Sequence, residues 1–385
     1  MNNSEADVKS DSGLYKIISA ILIAILLILI VGFAVFGLNG SEGENSGEID
    51  DNSQINADKP NGDTNGNGGT ADNISDPDDE VSVNPMPALT YYLTGLTCGE
   101  DKYRKIPYVF VTEPRAPLYG ISNAELVVEM PTEGGQTRFM MFMSSIGDAG
   151  KLGAFAPTRD YMSAMVKFFG GILVANGNDD IVRYNTLAQS LHLDLSENSS
   201  FYYKENGKNV YSDNDKIETM TSKAGIDTES LVIKQLPFVF ADPNATVRGN
   251  SIAQSIVIPY AADLTTKHIY NESTGVYTMY KGDRASIDML TGKGAEFNNV
   301  FVLFSDVVTY ELAEGTESVV NTATNGTGYY LTRGTLTEIR WHVDEQGALH
   351  FTDLNGDVLE VNRGTSYIGY YKAALSDAVT YGSNV

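Results

Sequence analysis

Hydrophobic and polar positions alternate on three different rhythms along this chain, and each rhythm predicts a different kind of structure. Residues 17–38 (I-I-S-A-I-L-I-A-I-L-L-I-L-I-V-G-F-A-V-F-G-L) carry no charge in 22 residues. A helix of about 20 apolar residues crosses the hydrocarbon core of a bilayer, so this segment predicts a transmembrane anchor. A cleaved signal peptide is the rival reading, but its apolar region is usually about 7–15 residues with a small-residue cleavage site, and no A-x-A site is present here. Residues 40–88 have the opposite character: no aromatic side chain, and twelve acidic residues against Lys59 alone. Such a segment buries too little apolar surface to offset its ordering entropy, and its self-repulsion predicts an extended, disordered tether.

From residue 89 onward the apolar runs become short. Residues 108–111 (Y-V-F-V) predict a strand, followed by a turn marked by Pro114, Pro117 and Gly120. Residues 126–130 and 137–144 predict a hairpin around P-T-E-G-G-Q. Residues 158–169 read as a helix, with Tyr161, Met162, Met165, Val166 and Phe169 at helical spacing and Gly170–Gly171 as the stop. A strand is expected over 172–175, and helices over 180–193 and 213–224. After about Leu231, strand-like runs at 255–260, 267–270, 276–280 and 299–304 follow closely. In T-L-T-E-I-R-W-H-V (335–343), alternation places Ile339, Trp341 and Val343 on one face and Glu338, Arg340 and His342 on the other. D-E-Q-G (344–347) and L-N-G-D (354–357) read as hairpin turns.

The expected fold class is therefore α+β. It comprises a cytoplasmic N-terminus (1–16), a transmembrane helix (17–38) and an acidic disordered linker (39–88). An N-terminal mixed α/β subdomain (89–231) and a mostly β C-terminal subdomain (232–385) follow.

Charge adds a location and removes a function class. Of 26 basic and 50 acidic residues, three and fifteen lie in residues 1–89, which leaves 23 against 35 for the remainder. A folded part this acidic lacks the basic face that nucleic acid requires. Lys9 and Lys16 precede the apolar helix, and the next basic residue is Lys59. Basic flanks stay on the cytoplasmic side, so the expected topology is a single pass of the cell membrane with the C-terminal domains outside. One cysteine, Cys98, and four histidines with no two at zinc-motif spacing argue against a disulfide framework or a metal site, and no cofactor is expected.

Residues 124–161 are mostly apolar yet carry Glu125, Glu129, Glu133, Arg138, Arg159 and Asp160. Buried charges must be paired or used. If the hairpin forms, Glu129 and Arg138 are expected nearly opposite, with Glu133 in the loop at its tip. One reading is a polar constellation at a cleft mouth, where the glycines let a ligand approach the backbone. The other is a cross-strand ion pair that fixes register. Arg159 and Asp160 open the helix at 158–169, where an arginine grips a carboxylate or phosphate well, unless Asp160 itself satisfies that terminus. Asn176 and Asn209 are candidates for the rim. Glu129 and Glu133 are the nearest carboxylate pair for acid–base hydrolysis of a glycan. Neither a serine–histidine nor a cysteine–histidine arrangement is evident, so the enzyme question leans towards no.

Several short motifs, in order, resemble the YerB-like lipoproteins of Gram-positive bacteria. These are L-T-G-L (93–96), A-E-L-V-V-E (124–129), E-G-G-Q-T-R-F (133–139) and L-G-A-F-A-P-T-R-D-Y (152–161), then N-N-V-F-V (298–302), G-T-G-Y-Y-L (326–331), R-W (340–341) and L-N-G-D-V-L-E-V-N-R-G-T-S-Y-I (354–368). The resemblance implies an envelope protein. Here the 17–38 helix replaces the usual lipid-attachment cysteine. Family members carry a histidine near Asn176 and a Pro-His-Asn near 208–211, of which only Asn209 and Tyr211 have counterparts, and a proline where Asp160 stands. Any chemistry that depends on those histidines is expected to be missing. The expected function is a membrane-anchored extracellular binding module associated with cell-wall synthesis. Its partner would be an envelope protein, most concretely a penicillin-binding protein, or a wall-derived ligand. A hydrolase using Glu129 and Glu133, and a receptor for a small anionic ligand, are the alternatives.

Overall fold

The computed structural model describes residues 89–103, 105–147, 149–177, 191–228, 238–312 and 315–383. The transmembrane helix expected at 17–38 and the tether expected at 39–88 lie outside the described residues, as does most of the helix expected at 180–193. Among the described residues, no helix is long and apolar enough to cross a membrane.

The first half supplies strands β1 (Tyr108–Thr112), β2 (Leu126–Pro131), β3 (Thr137–Met143), β4 (Lys151–Phe155), β5 (Ile172–Ala175), β6 (His192–Asp194), β7 (Tyr203–Glu205) and β8 (Asn209–Asp213). Its helices are α1 (Glu100–Tyr103), α2 (Ser163–Phe169) and α3 (Asn214–Lys223). The second half begins with β9 (Val239–Phe240), β10 (Ser251–Ile252), β11 (Ser255–Ala261), β12 (Leu264–Asn271), β13 (Val276–Lys281), β14 (Arg284–Ala285) and β15 (Glu296–Phe297). It continues with β16 (Asn299–Ser305), β17 (Val307–Leu312), β18 (Gly315–Val320), β19 (Asn325–Thr332) and β20 (Thr335–Val343). Last come β21 (Leu349–Asp353), β22 (Glu360–Val361), β23 (Ser366–Lys372) and β24 (Thr380–Gly382).

The described chain is mostly β with few helices, in two parts, so the expected α+β class holds only at that coarse level. Of the helix expected at 180–193, His192 and Leu193 belong instead to β6, which pairs in parallel with β5 (Leu173↔His192). A buried strand with an open edge demands a partner there, and that demand is invisible to helical spacing.

The two sequence halves share one sheet. Fourteen strands run in the main order β10-β20-β19-β16-β23-β2-β3-β1-β4-β8-β7, with β21, β5 and β6 attached. The join is β2 with β23, parallel, from Leu126↔Ser366 to Glu129↔Gly369. A second sheet of six strands, with the path β14-β13-β12-β11-β24 and β15 paired to β13, comes from the second half. It packs on one face of the large sheet, where Ile256, Ile258 and Met279 share a core with Val127, Phe139 and Met141. The opposite face is covered by Tyr91 and Leu93 and by Met165 and Phe169 of α2, against Val128, Met140 and Phe142. Both faces of β1, β2 and β3 are therefore buried. That is why Y-V-F-V and R-F-M-M-F-M read as continuous apolar runs instead of alternating ones.

Local chemistry sets the boundaries. The 158–169 helix begins as a 3-10 turn, Asp160–Met162, continues as α2 and stops at Gly170, which has φ 69°. Asp213 caps α3, accepting from the Lys216 amide at 3.0 Å. In β20, Ile339 and Trp341 are buried while Glu338, Arg340 and His342 face solvent, as alternation requires.

Candidate functional site

The hairpin forms where its apolar runs place it, but its register separates the two charges expected to meet. Glu129 lies opposite Phe139, and Arg138 lies opposite Met130. Side chains alternate across a strand, so this offset of one residue puts Glu129 and Arg138 on opposite faces of the sheet. No cross-strand pair joins them.

Glu129 faces the six-stranded sheet and is fully buried. Four side chains donate to its carboxylate: Thr137 Oγ1 at 2.6 Å, Thr266 Oγ1 at 2.8 Å, Tyr367 Oη at 2.7 Å, and Lys281 Nζ. Burial, and then the Glu129 charge, push the Tyr367 phenol well above its ordinary value, so it stays a donor. Beside them sits His268, fully buried, with no partner for either ring nitrogen among the described residues and its ring centre 4.2 Å from that of Tyr367. Burial, aided by the Lys281 charge, pushes its imidazole down to about 3, so it is neutral. The spacing of Thr266 and His268 in T-T-K-H places both on one strand face, but nothing in the sequence says that this face meets Glu129.

Glu133 sits in the hairpin loop, a 3-10 turn over Glu133–Gly135 in which Gly134 and Gly135 have φ 65° and 68°. The Arg159 guanidinium holds its carboxylate with two bonds, Nε to Oε2 at 3.1 Å and Nη2 to Oε1. Arg159 does grip a carboxylate bidentately at the start of a helical turn, but that carboxylate belongs to the chain itself. Burial raises the Glu133 carboxyl, but the Arg159 hydrogen bonds, a local backbone hydrogen bond and the charges of Arg159 and Arg138 outweigh it and hold the group below its ordinary value. Asp160 opens the 3-10 turn, and its backbone carbonyl accepts from Ser163 Oγ at 2.6 Å. Glu125, the remaining carboxylate of the hairpin, accepts from the Ser144 amide at 2.8 Å and Lys102 Nζ at 2.7 Å.

Three of the expected residues do meet. One edge of β1 pairs with β3 along its whole length. The other edge is divided: parallel β5 lies beside Tyr108, Val109 and Phe110, and antiparallel β4 takes over at Thr112↔Phe155. Where one partner gives way to the other, the sheet forks. Strand ends at such a changeover leave a crevice, as at the switch points of open α/β sheets. Here the crevice is a cleft of about 580 Å³. Arg138 lines it from β3, Asn176 from the end of β5, and Asn209 with Lys208 from the turn into β8. The chain leaving β1 adds Glu113 and Arg115. Arg138 Nη1 is anchored on Glu113 Oε2 at 2.9 Å and on the Thr137 carbonyl at 2.9 Å. Glu129, Glu133, Arg159 and Asp160 do not line this cleft. Sequence reasoning missed Glu113, Arg115 and Lys208, and the only available signal was their placement at a strand end and in a glycine turn. Among the described residues no group of three or more histidine, cysteine, aspartate or glutamate side chains is arranged to hold a metal ion.

Fold and cleft together define a two-part, mostly β protein with a polar cleft at a strand fork. Residues 93–227 match the family model described as Protein of unknown function (DUF3048) N-terminal domain, and residues 256–368 match that of its C-terminal domain. The chain belongs to this two-part, YerB-like family of unknown function. The crystal structure of YerB protein from Bacillus subtilis is similar in fold, with a TM-score of 0.67 at 18% identity, covering 77% of this chain and 100% of that one. No curated protein matches the sequence.

Proposed function

We propose that the protein is a non-catalytic binding module, held outside a cell membrane by the 17–38 helix and its acidic tether, whose cleft at the β1 fork engages a partner in the cell envelope. The observation that carries this reading is the convergence of Arg138, Asn176 and Asn209, from three separate segments, on one cleft of about 580 Å³. That volume is in the range of sites for small ligands or for one side-chain cluster of a partner. The family resemblance makes cell-wall synthesis the most concrete setting, with a penicillin-binding protein or a wall-derived ligand as the partner. The geometry gives the hydrolytic alternative little support, because Glu129 has four donors and Glu133 is clamped by Arg159. Neither carboxylate lines the cleft.

A crosslinker that does not cross membranes, added to intact cells carrying the full chain, tests location and binding together. The wild type should capture the same partner or wall fragment reproducibly, and an Asn176→Leu/Asn209→Leu variant should lose it. No capture, or equal capture by the variant, would overturn the reading.

A further inference from the structure

The charge of the cleft runs against the charge of the body that holds it. Residues 90–385 carry an acidic excess of 35 against 23. The cleft brings together Arg115, Arg138 and Lys208 against one carboxylate, Glu113. That carboxylate is already engaged by Arg138 Nη1 at 2.9 Å and by the Arg115 amide at 3.3 Å. Arg115 has Asp263 at 3.2 Å, but that partner is 76% exposed and screened by solvent. Lys208 is exposed in the β7–β8 turn. A positive excess therefore remains. The Arg138 guanidinium is fixed through Nη1 and is only 13% exposed, so its orientation is set before any ligand arrives. With Nη1 committed to Glu113 and the Thr137 carbonyl and Nε buried, Nη2 is the charged donor left for a ligand, and it suits a carboxylate oxygen. The remaining polar lining is of amide type, from Gln136, Asn176 and Asn209, each able both to donate and to accept. Phe155 and Pro157 supply an apolar wall.

We propose, on the basis of the binding-module reading above, that this cleft takes a carboxylate carried beside amide or hydroxyl groups, with Arg138 as its anchor and Lys208 and Arg115 at its mouth. Two sources present that chemistry, an acidic acetamido sugar and the C-terminus of a short peptide.

Calorimetric titration of the full chain in detergent micelles distinguishes them. The probes are N-acetylmuramic acid against N-acetylglucosamine, and N-acetyl-alanyl-alanine against its C-terminal amide. At least one acid should bind saturably and about ten-fold or more tighter than its neutral counterpart, the effect expected of one charge-assisted pair. Arg138→Gln should erase that preference. Because that change also releases Glu113, the exposed pair Arg115→Gln/Lys208→Gln serves as a second variant, which should weaken the acid several-fold with an unchanged melting temperature. Equal binding of acid and neutral counterpart would overturn the carboxylate assignment and leave the binding module standing. No binding of either acid overturns the assignment too, and crosslinking on cells then decides whether the binding reading falls with it.

Discussion

Two neighbouring side chains show how this fold handles polar groups in its core. Glu129 and Lys281 form a buried ion pair whose carboxylate is completed by Thr137, Thr266 and Tyr367. Removing one member of such a pair strands the other. Glu129→Gln should therefore lower the unfolding free energy by about 3–5 kcal/mol, read from chemical denaturation. Adding Lys281→Met should recover most of that loss, because the uncompensated charge is then gone. His268 is buried with no hydrogen-bond partner among the described residues and its folded-state value is about 3, against about 6.5 for an unfolded imidazole. The sign follows from proton binding: between these values the unfolded chain takes up a proton and the folded chain does not. Stability from this group is fully present above about pH 6.5 and is lost as the pH falls towards 3. His268→Phe suits the aromatic surroundings of Tyr367 and Phe297. It should unfold at a denaturant midpoint close to wild type at pH 7.5, and be more stable than wild type by roughly 2–3 kcal/mol at pH 4.5. Equal midpoints at both values would disprove the burial argument.

Elements that look like separate sequence motifs turn out to be parts of one joint. L-T-G-L (93–96) and N-R-G-T (362–365) are more than 260 residues apart, yet the Gly364 amide donates to the Thr94 carbonyl at 2.8 Å and Arg363 Nη1 donates to the Gly95 carbonyl. N-N (298–299) joins them: Asn298 Oδ1 accepts from the Thr365 amide at 3.1 Å, and Tyr330 of β19 donates to Asn299 Oδ1 at 2.9 Å. These motifs are explained by architecture. Gly364 has φ 133°, and a Cβ there would sit 2.0 Å from Asn298 Oδ1. Gly364→Ala should cost about 3 kcal/mol or more, from backbone strain and the broken joint together. A denaturation midpoint equal to wild type would show that this joint is dispensable. In the hairpin, by contrast, the register carries the consequence. A shift of one residue would bring Glu129 round to the face of Arg138 and lose its four donors.

Across the whole molecule, the β2–β23 pairing makes the two family halves one structure. Neither half can keep its share of the large sheet alone, because an isolated β2 or β23 would expose an unpaired edge and an uncovered apolar face. Thermal unfolding of residues 89–385 should therefore show a single cooperative transition by both near- and far-ultraviolet circular dichroism. Fragments 89–231 and 232–385 should lack native near-ultraviolet signal when expressed separately. Two resolved transitions, or a native-like isolated half, would contradict this. Much of the fold was legible from apolar rhythm: β1, the hairpin, β5, α2, α3 and β20 lie where their spacing predicts, because those signals are local. Strands such as β4 and β6 carry little periodicity of their own and exist because a neighbouring edge needs a partner. Of the candidate site residues, Arg138 stands out in the sequence as a charge inside an apolar hairpin and Asn176 and Asn209 only as rim candidates; all three line the cleft. The separation of Glu129 from Arg138 was not, because register depends on turn geometry and on what covers each face. By itself, the sequence determined the family, the mostly β character of the second half, and the presence of charges too well buried to be idle. Only the tertiary structure decided which face each charge occupies, and that the strand fork gathers an arginine and two asparagines into one cleft, since both depend on contacts between residues far apart in the chain.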